Sequence, residues 1–175
     1  MRCKVPQGII LSKYTSVVNK NRVRNQYRVL IEKYALVENK SIHWEFDQSP
    51  NSPWRALAQK GNYKGAIDTI KQFVKQNGWG GPEDSVLMWH LFQMYAMDEQ
   101  RGKAKQLLQY IINKGVWNDY YSRGTLAWYN NDREGLEKEI QQATNDKEYS
   151  THNSNNINIL QKMLNGIGKS YKDVY

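Results

Sequence analysis

The chain has 175 residues, 39% of them hydrophobic, and carries 25 Lys and Arg against 17 Asp and Glu for a formal net charge of +8. That length can bury a sizeable core and fits one domain, two at most, without a metal or disulfide to hold it together. The single cysteine, Cys3, excludes an intramolecular disulfide and any multi-cysteine zinc site.

The charge is uneven. Residues 1–48 hold nine basic and four acidic side chains, which points to nucleic acid or an acidic partner. Base composition offers a plainer source, because the 17 Lys and 17 Asn are what an AT-rich genome encodes. The opening MRCKVPQGIIL has an apolar run of only three residues, Ile9 to Leu11, too short for a secretory core. A soluble chain is expected, cytoplasmic by default or exported with its leader trimmed, and with no membrane span.

In chain order, residues 1–18 read either way, with a short helix after Ser12 preferred. Asn21 caps a firmer helix to about Glu38, in which Tyr27, Leu30, Ile31 and Tyr34 form one face and Arg24, Arg28 and Glu32 the other. Glu32 pairs with Arg28 and that face is read as solvated; Arg22, Arg24, Arg28 and Lys33 carry the nucleic-acid alternative, which needs them to converge on one surface. Residues 39–53 break the helical period. Ile42, Trp44 and Phe46 alternate with His43, Glu45 and Asp47, so an extended segment is expected, with one His and two carboxylates on a single face. Those three could serve acid/base chemistry or a metal, and the plainer reading is a loop pinned to the core by Trp44 and Phe46.

From Ser52 onward the signals are helical. Ser52 and Pro53 start a helix with Trp54, Leu57 and Ala58 inward. Gly61 ends it, and Asn62 caps the next, whose stripe is Tyr63, Ala66, Ile67, Ile70, Phe73 and Val74. After Gly78 to Pro82 comes the least polar stretch, Pro82 to Met97, whose last twelve residues carry only His90 and Gln93 as polar groups. A helix apolar all round must be covered on several sides, and this one is too short to cross a bilayer. It is read as the central helix, with His90 a satisfied core or hairpin-interface histidine.

A turn at Glu99 leads into a helix bearing Ala104, Leu107, Leu108, Ile111 and Ile112. Asp119 to Trp128 and then the helix after Asn131, with Leu136, Ile140 and Ala143, make a third hairpin. A polar stretch, Thr144 to Asn156, separates a final helix over 156–172, whose Ile157, Leu160, Met163, Leu164, Ile167 and Tyr171 would cap the stack. Gly168-Lys169-Ser170 matches the end of a phosphate-binding loop, but Met163 stands where that loop needs glycine and five residues cannot make the following helix. No metal-binding histidine pair or nucleophile elbow occurs, and no cofactor is expected.

The three hairpins, with turns near Asn62, Glu99 and Asn131, resemble the tetratricopeptide repeat. Gly61, Asn62, Tyr63 and Ala66 are similar to that family's turn and small-residue position, with Ala104 and Gly135 in the second and third units. The W-x-x-L opening at Trp54 and Leu57 falls four residues out of this register, and no unit ends in proline. The resemblance covers residues 53–143. It implies an all-α stack of helical hairpins over one domain, 1–175, with N-terminal helices and a C-terminal capping helix. It also implies a surface that binds a protein or peptide without chemistry of its own, of adaptor, chaperone-like or toxin-neutralising type. Gln93, Tyr95, Arg123 and Trp128 are the expected contacts. Trp79, Trp117, Tyr120 and Tyr129, near hairpin ends, are further aromatic candidates.

Overall fold

A computed structural model describes residues 42–79 and 84–175. The chain divides into two units at Ser41, and the described residues belong to the second, Ile42–Tyr175. The expected single domain over 1–175, and the basic residues Arg22, Arg24, Arg28 and Lys33, reach outside the described residues.

The described residues are helical, with no strand among them. In order they form α1 (Ile42–Gln48), α2 (Pro53–Gln59), α3 (Tyr63–Asn77), α4 (Asp84–Met97), α5 (Arg101–Asn113), α6 (Tyr120–Tyr129), α7 (Arg133–Asn145), α8 (Lys147–His152), α9 (Ser154–Asn165) and α10 (Tyr171–Val174). Helices α2–α3, α4–α5 and α6–α7 pack as three hairpins, and α3 meets α4 as α5 meets α6.

One turn design closes all three hairpins. The amide of Asn62 donates to the carbonyl of Leu57, Gln100 to Tyr95, and Asp132 to Ala127, at 2.9–3.0 Å. The residue before each, Gly61, Glu99 or Asn131, donates to the carbonyl three positions back and has φ of +73°, +59° or +56°. This pairing satisfies the last carbonyls of the first helix. In two hairpins the next side chain then caps the second helix: Asn62 Oδ1 accepts from the Gly65 amide and Asp132 Oδ1 from the Gly135 amide, both at 2.9 Å.

Aligned on these turns, Ala66 and Ala104 correspond to Leu136, not to Gly135, and all three are fully buried. Gly135 is small for a different reason, since a Cβ there would collide with the capping carboxylate of Asp132.

Helix α4 is central, packed against α1, α3, α5 and α10. Leu87, Leu91 and Met94 join Trp54, Ala66, Ile67 and Ile70 in one core. Trp89, Phe92 and Ala96 enter a second core with α5, α6, α7, α9 and α10. Two cores on opposite sides of one helix explain why its sequence has no polar stripe.

Three segments differ from the sequence reading. Residues 42–48 are helical, not extended: His43 and Asp47, four apart, face inward while Ile42 and Trp44 point out, at 55% and 44% exposure. Phe46 does pin the segment, stacked on Phe73 at 3.8 Å between ring centroids, but Trp44 does not lie in the core. The polar stretch after Thr144 contains α8, started by Asp146 Oδ1 accepting from the Tyr149 amide. The final helix is two pieces, broken at Gly166 and Gly168; α9 packs on α6 and α7, and Tyr171 opens the short α10 against α4.

Candidate functional site

At the turn end of the second and third hairpins lies a cavity of about 380 Å³. Its wall comes from three places in sequence: Ala96, Glu99 and Arg101 around the α4–α5 turn, Trp128, Tyr129 and Asn131 around the α6–α7 turn, and Gly168 to Tyr171 at the start of α10.

Arg101 is the main cation. It is the first residue of α5, placed there by the turn that Glu99 and Gln100 make. Its guanidinium carbon sits 5.0 Å from the Trp128 ring centroid and 4.9 Å from that of Tyr129, and Nη2 donates to the Tyr129 carbonyl at 3.1 Å. Stacking on two rings fixes the fork while its other donors stay available. Lys169 is exposed beside it. Among the described residues neither cation has an acidic partner within 4 Å, and Glu99 has no basic one.

Glu99 and Asn131 are the non-glycine residues with positive φ among those described, and both line this cavity. Side chains there cost about 1–2 kcal/mol relative to a right-handed conformation.

Behind the cavity, tyrosines crowd the second core. The hydroxyls of Tyr121, Tyr129 and Tyr171 are buried without a hydrogen-bond partner, and the Tyr175 hydroxyl accepts from Gln93 Nε2 at 3.0 Å. Tyr121 and Tyr171 are near enough to bias each other's ionisation but fall outside hydrogen-bond geometry. Burial pushes the pKa of Tyr121, Tyr129 and Tyr171 well above 10, and lifts that of Tyr149 to about 12 with help from Asp119.

The acid/base set expected at residues 43–47 is not assembled. As a helix, α1 leaves Glu45 exposed on the far side from His43 and Asp47. Asp47 instead reaches 43 residues along the chain: its Oδ1 lies 2.7 Å from His90 Nδ1, and Oδ2 accepts from the Gln48 amide group. Arg55 Nε donates to the Asp47 carbonyl at 2.6 Å, and the Trp54 ring lies 5.0 Å from that of His90. The pair ties α1 and the start of α2 to α4.

The expected contact residues have separate settings. Gln93 is held by Tyr175, and Tyr95 lies half-buried between the two cores under Lys103 Nζ, 5.7 Å from its ring centroid. Arg123 makes a two-toothed ion pair with Glu139 at 2.9 and 2.8 Å, and a further bond to the Asn118 carbonyl. Trp128 has no exposed surface and donates Nε1 to the Gly166 carbonyl at 3.3 Å; of the four it alone borders the cavity, with no surface of its own open to a partner.

Of the other aromatics, Tyr129 is buried, Trp117 donates to the Ser85 carbonyl, Tyr120 donates to Asp146, and Trp79 remains 43% exposed. Sequence reasoning missed Arg101, Lys169, Glu99 and Asn131 as a group. The available signal was a basic residue directly after a turn, beside a Gly-Lys-Ser run already set apart on other grounds.

Among the described residues no group of three His, Cys, Asp or Glu side chains could hold a metal ion, and no helix is long and apolar enough to cross a membrane. No protein-family model, curated protein or solved structure matches the chain.

Proposed function

We propose that this chain is a noncatalytic protein-binding module of adaptor, chaperone-like or toxin-neutralising type, its three hairpins stacked in the manner of tetratricopeptide repeats. A partner segment docks at the turn end of the second and third hairpins. The observation that carries this reading is the cavity itself, where an arginine stacked on two aromatic rings and a neighbouring lysine have no acidic partner within the described residues. Elsewhere the charged groups that could do chemistry are engaged internally: Asp47 with His90, Arg123 with Glu139. Stacked arginines and aromatic surfaces are the usual anchors of protein recognition.

The test is capture from native extract at low and high salt, with nuclease, by the full chain and by Arg101→Ala. A discrete protein that survives nuclease and is lost with Arg101→Ala at unchanged helicity supports the reading. Capture that Arg101→Ala does not reduce removes the cavity from it.

The second reading, a nucleic-acid binder through Arg22, Arg24, Arg28 and Lys33, has one observation in its favour. Residues 1–41 hold nine basic and two acidic side chains, whereas 42–175 hold sixteen and fifteen, so the basic excess lies almost wholly before Ile42. Material released by nuclease and by salt would favour it.

A further inference from the structure

Helix α10 has four residues, too few to stay helical without tertiary support, yet the segment 170–175 touches all three hairpins. Lys172 Nζ lies 5.5 Å from the ring centroid of Tyr63, at the start of α3 in the first hairpin. The Tyr171 ring meets Phe92 of α4 edge-on, with centroids 6.0 Å apart, and lies 6.2 Å from Trp128 and 6.5 Å from Tyr129 of α6. The Tyr175 hydroxyl accepts from Gln93 of α4, and Val174 closes over Gly166, where a Cβ would leave it no room. Within 170–175, Tyr171 and Val174 are the buried side chains; Lys172, Asp173 and Tyr175 face solvent. The link that carries them, Ile167 to Lys169, passes through Gly168 at φ +88°, a conformation open to glycine at no steric cost. Two buried side chains on a glycine link place this segment at the low-stability end of the fold, where elements open while the rest stays folded. Its seat is also imperfect. The hydroxyls of Tyr121, Tyr129 and Tyr171 have lost water there and gained no partner, which weakens closure.

We propose that residues 169–175 are an internal stand-in for the partner, a strap seated where the partner binds. The partner presents one helical turn with an aromatic side chain and, three positions on, an aliphatic one, and it binds when the strap swings out. That pattern is the one Tyr171 and Val174 place on a single face of α10. The inference rests on the protein-binding reading above and widens its docking surface, because Ser170 and Tyr171 also wall the cavity. Strap release uncovers Gln93, the bonded partner of Tyr175, and the ring of Trp128 beside Tyr171. A tethered competitor acts at high effective concentration, so the closed chain binds such a turn more weakly than one whose strap is free.

The test adds a fluorescein-labelled peptide of residues 169–175 to the full chain, to Val174→Asp and to Tyr175→Ala. The carboxylate that Val174→Asp introduces cannot stay in a buried apolar seat, so the strap leaves it. Tyr175→Ala, at a half-exposed position, removes the Gln93 bond without entering the core. The expected result, at unchanged helicity, is saturable binding to Val174→Asp about tenfold or more tighter than to the parent, with Tyr175→Ala between them. The same peptide with alanine in place of both Tyr171 and Val174 should not bind. Capture from native extract should rise severalfold with Val174→Asp, and the peptide should compete for it. Should Val174→Asp lose helicity, Tyr175→Ala decides alone, by a gain in peptide binding or none. Peptide binding that is equal across the chains, or absent from the variants, overturns the inference and leaves the protein-binding reading on its own Arg101→Ala experiment. So does a peptide that rebinds without changing capture. If the peptide rebinds as expected but no chain captures a protein, the protein-binding reading falls and this inference falls with it.

Discussion

Glu99 occupies a backbone conformation, φ +59°, that its two counterparts fill with Gly61 and Asn131, residue types that tolerate it. Replacing it with glycine removes the Cβ clash but adds freedom to the unfolded chain. Glu99→Gly should therefore stabilise the protein by about 0.5–1 kcal/mol, read as a higher denaturant midpoint with unchanged slope. A loss of stability would mean that the Glu99 side chain makes a favourable interaction that its contacts do not reveal. The tyrosines give a second residue-level expectation. Their native pKa values lie above the unfolded value of 10.0 because burial disfavours the phenolate, so the folded state holds those protons more tightly. Their contribution is complete below pH 10 and is lost as pH rises beyond it, at up to about 1.4 kcal/mol per pH unit for each fully buried tyrosine. Alkaline denaturation should thus begin just above pH 10. Tyr121→Phe, which deletes a hydroxyl that has no partner, should flatten this fall and change stability near pH 7 by no more than about 0.5 kcal/mol.

At the scale of elements, the Asp47–His90 contact decides whether α1 belongs to the unit. Asp47 is 2% exposed, so removing His90 leaves a buried carboxylate held by Gln48 alone, whereas removing the carboxylate leaves only an imidazole that keeps some solvent. His90→Ala should cost more than Asp47→Ala, each within about 1–3 kcal/mol, with amide exchange accelerating first in Ile42–Gln48. Equal costs, or exchange that rises uniformly, would show that the contact does not hold α1 specifically. The same pair explains where sequence reading stopped. The three hairpins were legible because their turns are local: Gly61-Asn62, Glu99 and Asn131-Asp132 each sit between apolar stripes of helical period. Residues 42–47 were not, because alternation of Ile42, Trp44 and Phe46 fits a strand, while the helix buries the polar His43 and Asp47 on account of a partner 43 residues away. The cavity was invisible for a related reason. Arg101, Asn131 and Lys169 are 30 and 38 residues apart, and only the packing of α9 and α10 back onto the hairpins brings the third beside the first two.

For the whole molecule, α4 separates two bodies of packing. Ile70 is fully buried in the core shared by α2, α3 and one side of α4, and the cavity belongs to the other side, with Ala96, Trp128, Tyr129 and Tyr171. In a stack whose elements touch mainly their neighbours, a defect in one hairpin weakens that hairpin and its interface most, with the rest feeling it through the shared helix. Ile70→Ala opens a void and should cost about 2–5 kcal/mol, because the transfer term and the unfilled space add. Binding at the cavity should nonetheless stay within twofold of the parent chain below the variant's melting range, since no residue of the cavity wall packs in the Ile70 core. Arg101→Ala should show the converse: partner capture lost, and stability reduced by no more than about 1–2 kcal/mol for one exposed cation–π and hydrogen-bond donor. Calorimetry and capture on the two variants separate these outcomes. If Ile70→Ala abolishes capture while the α6–α7 amides remain protected, the docking surface extends across α4 into the first hairpin, and the cavity is one part of a longer site.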